Sequence, residues 1–431
     1  MKLHLYIIYL FFICSSLQSQ NTYLHCSKIF NSKTATYTTG NQTIIVRDNK
    51  ILDIQKGLTT PQQEDAIIID LRKKVVYPGF IDMHVHLDHE TSPSRYLDKY
   101  QDNKSDQALK SVKFCKRTLQ AGFTSVRDVG GNGVNIALKN AINRGDIDGP
   151  RVFTSGKIIS STGGHGDPTN GSNADYVGDP GPKEGVVNGV ADAMKAVRQR
   201  YKNGADLIKI TATGGVLSQA KNSSNPQFTL EEIKAITKTA ADYGFHVAAH
   251  AHGDDGMKRA ILGGVKTIEH GTRMSDETMD MMKENGVYLV PTIIAGKYVS
   301  KMAKIDGFYP EVIRPKALEI GPEIQSMFAR AYQKKVPIVF GTDAGVFPHG
   351  ENWKEFGYMI EAGMPVNEAI QTATLIPAVI LKKERELGQL KPGFLADIIA
   401  LDETPTKDNT EAFRKIAFIM KGGKVYKSLY K

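Results

Sequence analysis

Pro78-Gly79-Phe80-Ile81-Asp82-Met83-His84-Val85-His86 sets two imidazoles at the end of an apolar run. Side chains two apart on a strand face the same side, so His84 and His86 form a two-nitrogen pincer. Further along come Leu207-Ile208-Lys209-Ile210, Ala249-His250-Ala251-His252-Gly253, Ile268-Glu269-His270-Gly271 and Gly341-Thr342-Asp343-Ala344-Gly345. Each fragment closes a short apolar run. Imidazoles and a carboxylate arriving from separate strands are the donor set that a divalent metal requires. Lys209 is the odd member, because an ammonium buried without a partner is expensive. Its amine either pairs with Asp343 or another carboxylate, or reacts with carbon dioxide to give a carbamate that can bridge two metals.

Outward from these fragments, eight strand-like runs alternate with amphipathic helical segments. The strands are expected at 80–87, 124–129, 152–159, 207–213, 246–252, 267–270, 287–292 and 338–343. Helices are expected at 190–201, 230–243, 255–262, 276–284 and 322–334, with start signals at Thr229 and Ser275. The economical architecture is α/β, a (β/α)8 TIM barrel over residues 78–387. A doubly wound open sheet is the alternative, but it would not gather metal-type residues from five strands at one mouth. Residues 161–189, 214–228 and 295–321 read as long loops over that mouth. Strand-rich stretches at both ends, 20–77 and 388–431, are expected to form a small β-sandwich domain.

Bulk composition narrows the function. The net charge is +9, but the lysines are scattered, and no helix-turn-helix or zinc-knuckle spacing is found, so nucleic acid is excluded as a partner. Residues 1–19 begin with Lys2, continue through the apolar stretch 5–14 and end at Ser15-Ser16-Leu17-Gln18-Ser19. That is a secretory signal peptide pattern, too short to span a bilayer. An exported chain, periplasmic or secreted, is expected; lipid anchoring at Cys14 is the weaker reading. After cleavage Cys26 and Cys115 remain, and they are free to pair or not.

With its HVH opening at 84–86 and its closing run Lys391-Pro392-Gly393-Phe394-Leu395-Ala396-Asp397-Ile398, the chain resembles the amidohydrolase superfamily, binuclear branch. The resemblance runs from Pro78 to Gly345, with the flanks similar to that superfamily's β-sandwich. It implies two divalent metal ions, zinc first and manganese or cobalt also suited. His84 and His86 would hold one, His250 and His270 the other, and a carboxylated Lys209 would bridge them. Asp343 would be both ligand and general base. Gly163-Gly164-His165-Gly166 and Thr342-Asp343-Ala344-Gly345 look most like the Xaa-Pro dipeptidase group, which includes carboxypeptidases acting on N-acylated amino acids and hydrolases of mycotoxin amides.

The expected activity is therefore hydrolysis of a peptide or amide bond in a small substrate with a C-terminal amino acid. His165 and His252 join Asp343 as catalytic candidates, and His165, Arg273 and His349 are candidates for substrate contacts. Asp128 and Asp167 are expected to orient ligands or cap loops, and Trp353 to pack. The expected partner is a small peptide or N-acyl amino acid, the protein a homo-oligomer without an integral membrane span. Two other classes stand beside this reading. One is a cyclic amide or imidazolone hydrolase or deaminase of the same superfamily, which would lack the bridging lysine. The other is an exported binding protein without catalysis.

Overall fold

The computed structural model describes residues 20–62, 66–219 and 222–428. The expected signal peptide, with Cys14, lies outside the described residues. Strands β1 (Asn21–Asn31), β2 (Thr36–Arg47), β3 (Lys50–Lys56), β4 (Ile67–Leu71) and β5 (Val75–Pro78) come from the N-terminal flank. The central region supplies β6 (Phe80–Val85), β7 (Phe123–Asp128), β8 (Arg151–Thr154), β9 (Ile208–Thr211), β10 (Val247–Ala251), β11 (Thr267–His270) and β12 (Tyr288–Val290). The C-terminal flank adds β13 (Ile398–Leu401), β14 (Ile416–Lys421) and β15 (Lys424–Ser428).

Both flanks join in one eight-stranded sheet, in the order β15-β14-β13-β5-β1-β2-β3, with β4 also paired to β1. Both chain ends thus contribute strands to one β-rich unit. A register shift between Cys26 and Lys28 lets the long β1 change partners along one edge, from β4 at 22–26 to β5 at Ile29, so the strands form one continuous ladder. Alternate residues such as Leu24, Cys26, Ile44, Val46, Ile398 and Phe418 bury a core of their own. Burial holds the Cys26 and Cys115 thiols up at about 12, and both cysteines are free.

The central strands form two parallel sheets, β6-β7-β8 and β12-β11-β10-β9. One uninterrupted ladder of eight strands, as the sequence predicts, is not found among the described residues. The run 338–343 is not a regular strand: it donates from Val339 N to Leu289 O (3.0 Å) and from Asp343 N to His84 O (2.7 Å), and Val85 bridges Ala344. On the other side, Ile159 N donates to Lys209 O at 2.8 Å. Single bridges thus connect the edges of the two sheets. The interruption at 338–343 has a local cause, since Asp343 takes a left-handed φ of 64° and its neighbour Gly345 a φ of 112°. Neither conformation continues a strand.

Four expected helices form within two residues of their expected ends: Val190–Lys202, Leu230–Asp242, Asp254–Leu262 and Asp276–Glu284. Thr229 and Ser275 cap two of them, accepting from Glu232 N and Thr278 N. The region read as a loop at 295–321 is instead largely helical, in Ile293–Met302 and Arg314–Gln333. The Gly and Pro residues that suggested a loop are absorbed by packing. Pro315 occupies the first turn, where no intrahelical N–H is needed, and Gly321 lets the helices approach, since a Cβ there would lie 2.8 Å from Ser300 Cβ. Among the described residues, no helix is long and apolar enough to cross a membrane.

Candidate metal centre

Strands β6, β9, β10 and β11 each end at the same cavity, of about 490 Å³, whose lining includes His84, His86, Lys209, His250, His252, His270 and Asp343. Parallel pairing sets the relation between them: Lys209 lies beside Ala248 and His250 beside Glu269, paired side chains share a face, and His250, two positions on from Ala248, shares it with Lys209. All six residues expected to hold metal are therefore brought together.

Each imidazole is fixed by a contact at one nitrogen that turns the other inward. His84 Nδ1 donates to Glu269 Oε2 at 2.8 Å, and His86 Nδ1 donates to Gly130 O at 2.6 Å. His250 donates through Nε2 to Gly214 O at 3.1 Å, leaving Nδ1 for the cavity. His252 Nδ1 meets Thr272 Oγ1 at 2.9 Å, and His270 Nδ1 meets Thr292 Oγ1 at 2.7 Å. Histidine ligands to metals are held in this manner, by a partner on the far nitrogen. Two sets of three donors result, His84–His270–Asp343 and His250–His252–His270, each with its donor atoms within 4.8 Å of one another.

Asp343 completes the first set. Its Oδ1 lies 3.4 Å from His84 Nε2 and 3.3 Å from His86 Nε2, is buried, and receives no hydrogen bond. Burial alone would raise this carboxyl, but His84 and His86 hold it well below the ordinary carboxylate range. Lys209 is 2% exposed, and burial lowers its amine to about 8, against the pull of Glu269 and Asp343. It belongs to none of the ion pairs among the described residues. Burial likewise lowers the imidazoles of His84, His250 and His270, so their neutral, metal-binding forms prevail. An orphaned carboxylate oxygen, inward imidazole nitrogens and a lysine with a lowered pKa are a donor set that fits two divalent ions.

Glu269 holds this arrangement from below. The sequence reading did not single it out, although a carboxylate inside the apolar Thr267–His270 run is as anomalous as Lys209. It accepts from His84, from Arg127 Nη2 at 2.7 Å and from the Thr267 hydroxyl. Arg127 also donates through Nε to Met83 O at 2.6 Å, and neither Arg127 nor Glu269 is exposed. Burial pushes the Glu269 carboxyl up, but Arg127 and His84 outweigh it and keep it ionised. A second buried carboxylate, Asp82, accepts from His84 N, from Thr342 N and Oγ1 and from Asn352 Nδ2, binding the 338–343 segment to β6.

His165 reaches the cavity, its ring centroid 4.3 Å from that of His250 and its Nδ1 buried without a partner. Gly215 makes room for it: a Cβ there would lie 2.3 Å from the ring. The other two substrate candidates are placed elsewhere. Arg273 is held by Glu323 (3.0 Å), Glu319 (3.3 Å) and Ser224 (2.7 Å), and it does not line the cavity. His349 stacks on Phe114, and its Nε2 donates to His89 O at 3.0 Å. Asp128, at the end of β7, ties down the segments that follow β6 and β7, accepting from Leu87 N and Asn135 Nδ2, and Asp167 accepts from Gly163 N and Thr169 N. Trp353 is buried beside the helix Lys354–Glu361.

Comparison with known proteins agrees with this geometry. The amidohydrolase family model matches residues 75–427. Ochratoxinase from Aspergillus niger is 32% identical over 380 residues, covering 83% of this chain and 76% of its own. Among solved structures, a Xaa-Pro dipeptidase with methionine bound in its active site superposes with a TM-score of 0.90 at 48% identity, covering 95% of this chain and 100% of that one. A prolidase complexed with N-methylphosphonate-L-proline gives a TM-score of 0.86 at 28% identity, covering 95% and 100%.

Proposed function

This chain belongs to the amidohydrolase family and is a hydrolase acting on C–N bonds, and from that premise we propose that it releases the C-terminal amino acid of a dipeptide or N-acyl amino acid. The two parallel sheets and their linking bridges are read as one barrel, with the cavity at its mouth. The observation that carries the reading is the convergence of His84, His86, Lys209, His250, His270 and Asp343 on one cavity, with Asp343 Oδ1 buried and unpartnered.

In this reading His84 and His86 would hold one divalent ion, His250 and His270 would hold a second, and Lys209, on the same cavity, would serve both. Divalent ions there would supply a Lewis acid for the amide carbonyl and make water acidic enough to attack at neutral pH. The Lys209 amine, in its neutral form, adds to carbon dioxide: an N–C bond forms and one proton is released, leaving an anionic carbamate. Asp343 is ionised at neutral pH. With Oδ1 turned to the histidines, Oδ2 takes a proton from the attacking water and returns it to the leaving nitrogen. His165 and His252 stand beside His250 and are assigned to the substrate carbonyl. The ligand structure of the related Xaa-Pro dipeptidase, with methionine in its active site, supports an amino acid as the released product.

The test is a panel of Xaa-Pro, Xaa-Met, Xaa-Phe and Xaa-Arg dipeptides with their N-acetylated counterparts, incubated with the protein loaded with zinc, manganese or cobalt. Release of free amino acid from a subset is expected. A panel that stays silent while two metals per chain are bound would remove the peptidase reading.

A further inference from the structure

The cavity has a wall suited to an apolar side chain, formed by Ile158, Val216, Leu217, Val299, Ile320 and Ile324. A free amino acid end also carries a carboxylate, and the cationic group meant for it from the sequence, Arg273, is turned to Glu319 and Glu323. A different guanidinium stands at the mouth. Arg95 lines both the metal cavity and an outer cavity of about 630 Å³ that continues from it through His89, Gly131, Asn132, His165 and Leu217.

Arg95 is held but not neutralised. Its Nη1 donates to Thr91 Oγ1 at 3.2 Å and its Nη2 to His89 Nε2 at 3.1 Å. His89 in turn donates from Nδ1 to Asp88 Oδ1 at 2.7 Å, and Asp88 also accepts from Asn132 N at 3.0 Å. That chain fixes His89 as an acceptor and orients the guanidinium. The same His89 ring stacks on His86, with centroids 5.3 Å apart, so one imidazole separates Arg95 from a candidate metal ligand. Among the described residues, no carboxylate lies within ion-pair distance of Arg95, in contrast to Arg273. A planar fork with donors to spare, fixed at the edge of an apolar pocket, is the group that binds a carboxylate in two-point fashion.

We propose that Arg95 binds the carboxylate of the released amino acid, and so restricts the enzyme to substrates with a free C-terminus. The proposal deepens the amide-hydrolase reading and rests on it for the identity of the substrate. Lys104 and Lys157 also line the metal cavity, but each offers a point charge, and burial, with the charge of Lys104 adding to it, lowers the Lys157 amine. Neither presents a fork.

The experiment is calorimetric binding of L-methionine and L-methioninamide to the metal-loaded wild-type protein and to Arg95→Gln and Arg95→Lys, with thermal melts of each. The two ligands differ only at the carboxylate. Wild type is expected to bind methionine roughly 10- to 150-fold more tightly than the amide, the ratio that corresponds to a hydrogen-bonded charge. Arg95→Gln, melting as wild type does, is expected to lose that preference. Arg95→Lys, which keeps the charge without the fork, is expected to retain part of it, and it carries the test if the glutamine variant does not fold. A wild type that binds both ligands equally, or neither, overturns the proposal. So does an Arg95→Gln protein that keeps the preference. The hydrolase reading is judged separately, by amino acid release. A protein that prefers methionine but cleaves nothing refutes that reading and leaves the carboxylate site standing. One that cleaves amides with blocked and free C-termini alike does the reverse.

Discussion

Glu269→Gln replaces one oxygen by an amide nitrogen and tests how far the candidate metal centre depends on the residue beneath it. The glutamate serves three donors, His84 Nδ1, Arg127 Nη2 and the Thr267 hydroxyl, with Oε2 given to the histidine and Oε1 to the other two. Glutamine has a single oxygen. If that oxygen faces Arg127 and Thr267, the amide N–H₂ faces His84 and forces its proton to Nε2, the nitrogen needed for metal. If the oxygen faces His84, the amide N–H₂ confronts a guanidinium that has no other carboxylate partner among the described residues. In both orientations the Arg127 charge is left uncompensated in a fully buried place. Breaking a buried pair in this manner costs about 3–5 kcal/mol. With unfolding entropy near ~2.1 cal/mol/K per residue over 431 residues, that corresponds to a melting-point loss of about 3–6 °C. Loss of an outer partner to a metal-binding histidine lowers metal affinity or activity by about 10- to 100-fold. The assay is a thermal melt of the metal-free protein, followed by metal per chain after dialysis and then turnover. A variant that melts within a degree of wild type and retains its metal and rate would refute the argument.

Other predictions concern separate parts of the molecule. His252→Gln is expected to keep two metals per chain while losing about 10²-fold or more in turnover. A variant that loses metal instead would make His252 a ligand with His250 and His270. Burial raises the Glu355 carboxyl from 4.5 to about 8, although Ile293 N and Ile294 N both donate to it. The folded protein then binds that proton more tightly than the unfolded chain, so stability falls as pH rises from 4.5 to about 8 and levels off above. Melting curves of Glu355→Gln across that range should be flatter than those of wild type; parallel curves would contradict the assignment. Cys26 and Cys115, with thiols at about 12, should resist a thiol reagent in the native protein and react once it is unfolded in urea. Fast native labelling of either one would show that its burial is broken.

The parts of the centre readable from sequence were those whose chemistry conflicts with their surroundings. An imidazole pair at 84 and 86, or a lysine at 209, is anomalous inside an apolar strand, and period-two spacing says which way it points. Helices with explicit caps at Thr229 and Ser275 were equally legible. Arg273 was singled out as a substrate contact, but whether it is available depends on whether a carboxylate from a distant helix arrives first. Glu323 and Glu319 reach Arg273 across about fifty positions of sequence, and no local pattern announces it. The second half of the helix Arg314–Gln333 was legible, at 322–334; its first half was hidden by Pro315 and Gly321, the one accommodated in the first turn and the other where the neighbouring helix approaches closely. Strand periodicity at 338–343 was genuine as an apolar pattern, but the left-handed turn at Asp343 that ends the strand is set by contacts with β6.

Three residues at the cavity, His270 (φ 72°), Thr292 (φ 50°) and Asp343 (φ 64°), hold a backbone conformation that suits glycine. A β-carbon in that region costs of order 1–3 kcal/mol at each position. Glycine would remove this strain and the working side chain together, so mutation toward greater stability runs directly against function here. Variants recovered by a search for thermal resistance alone should accumulate changes at these three positions and come out inert. A search that also demands turnover should leave them untouched and find its gains elsewhere.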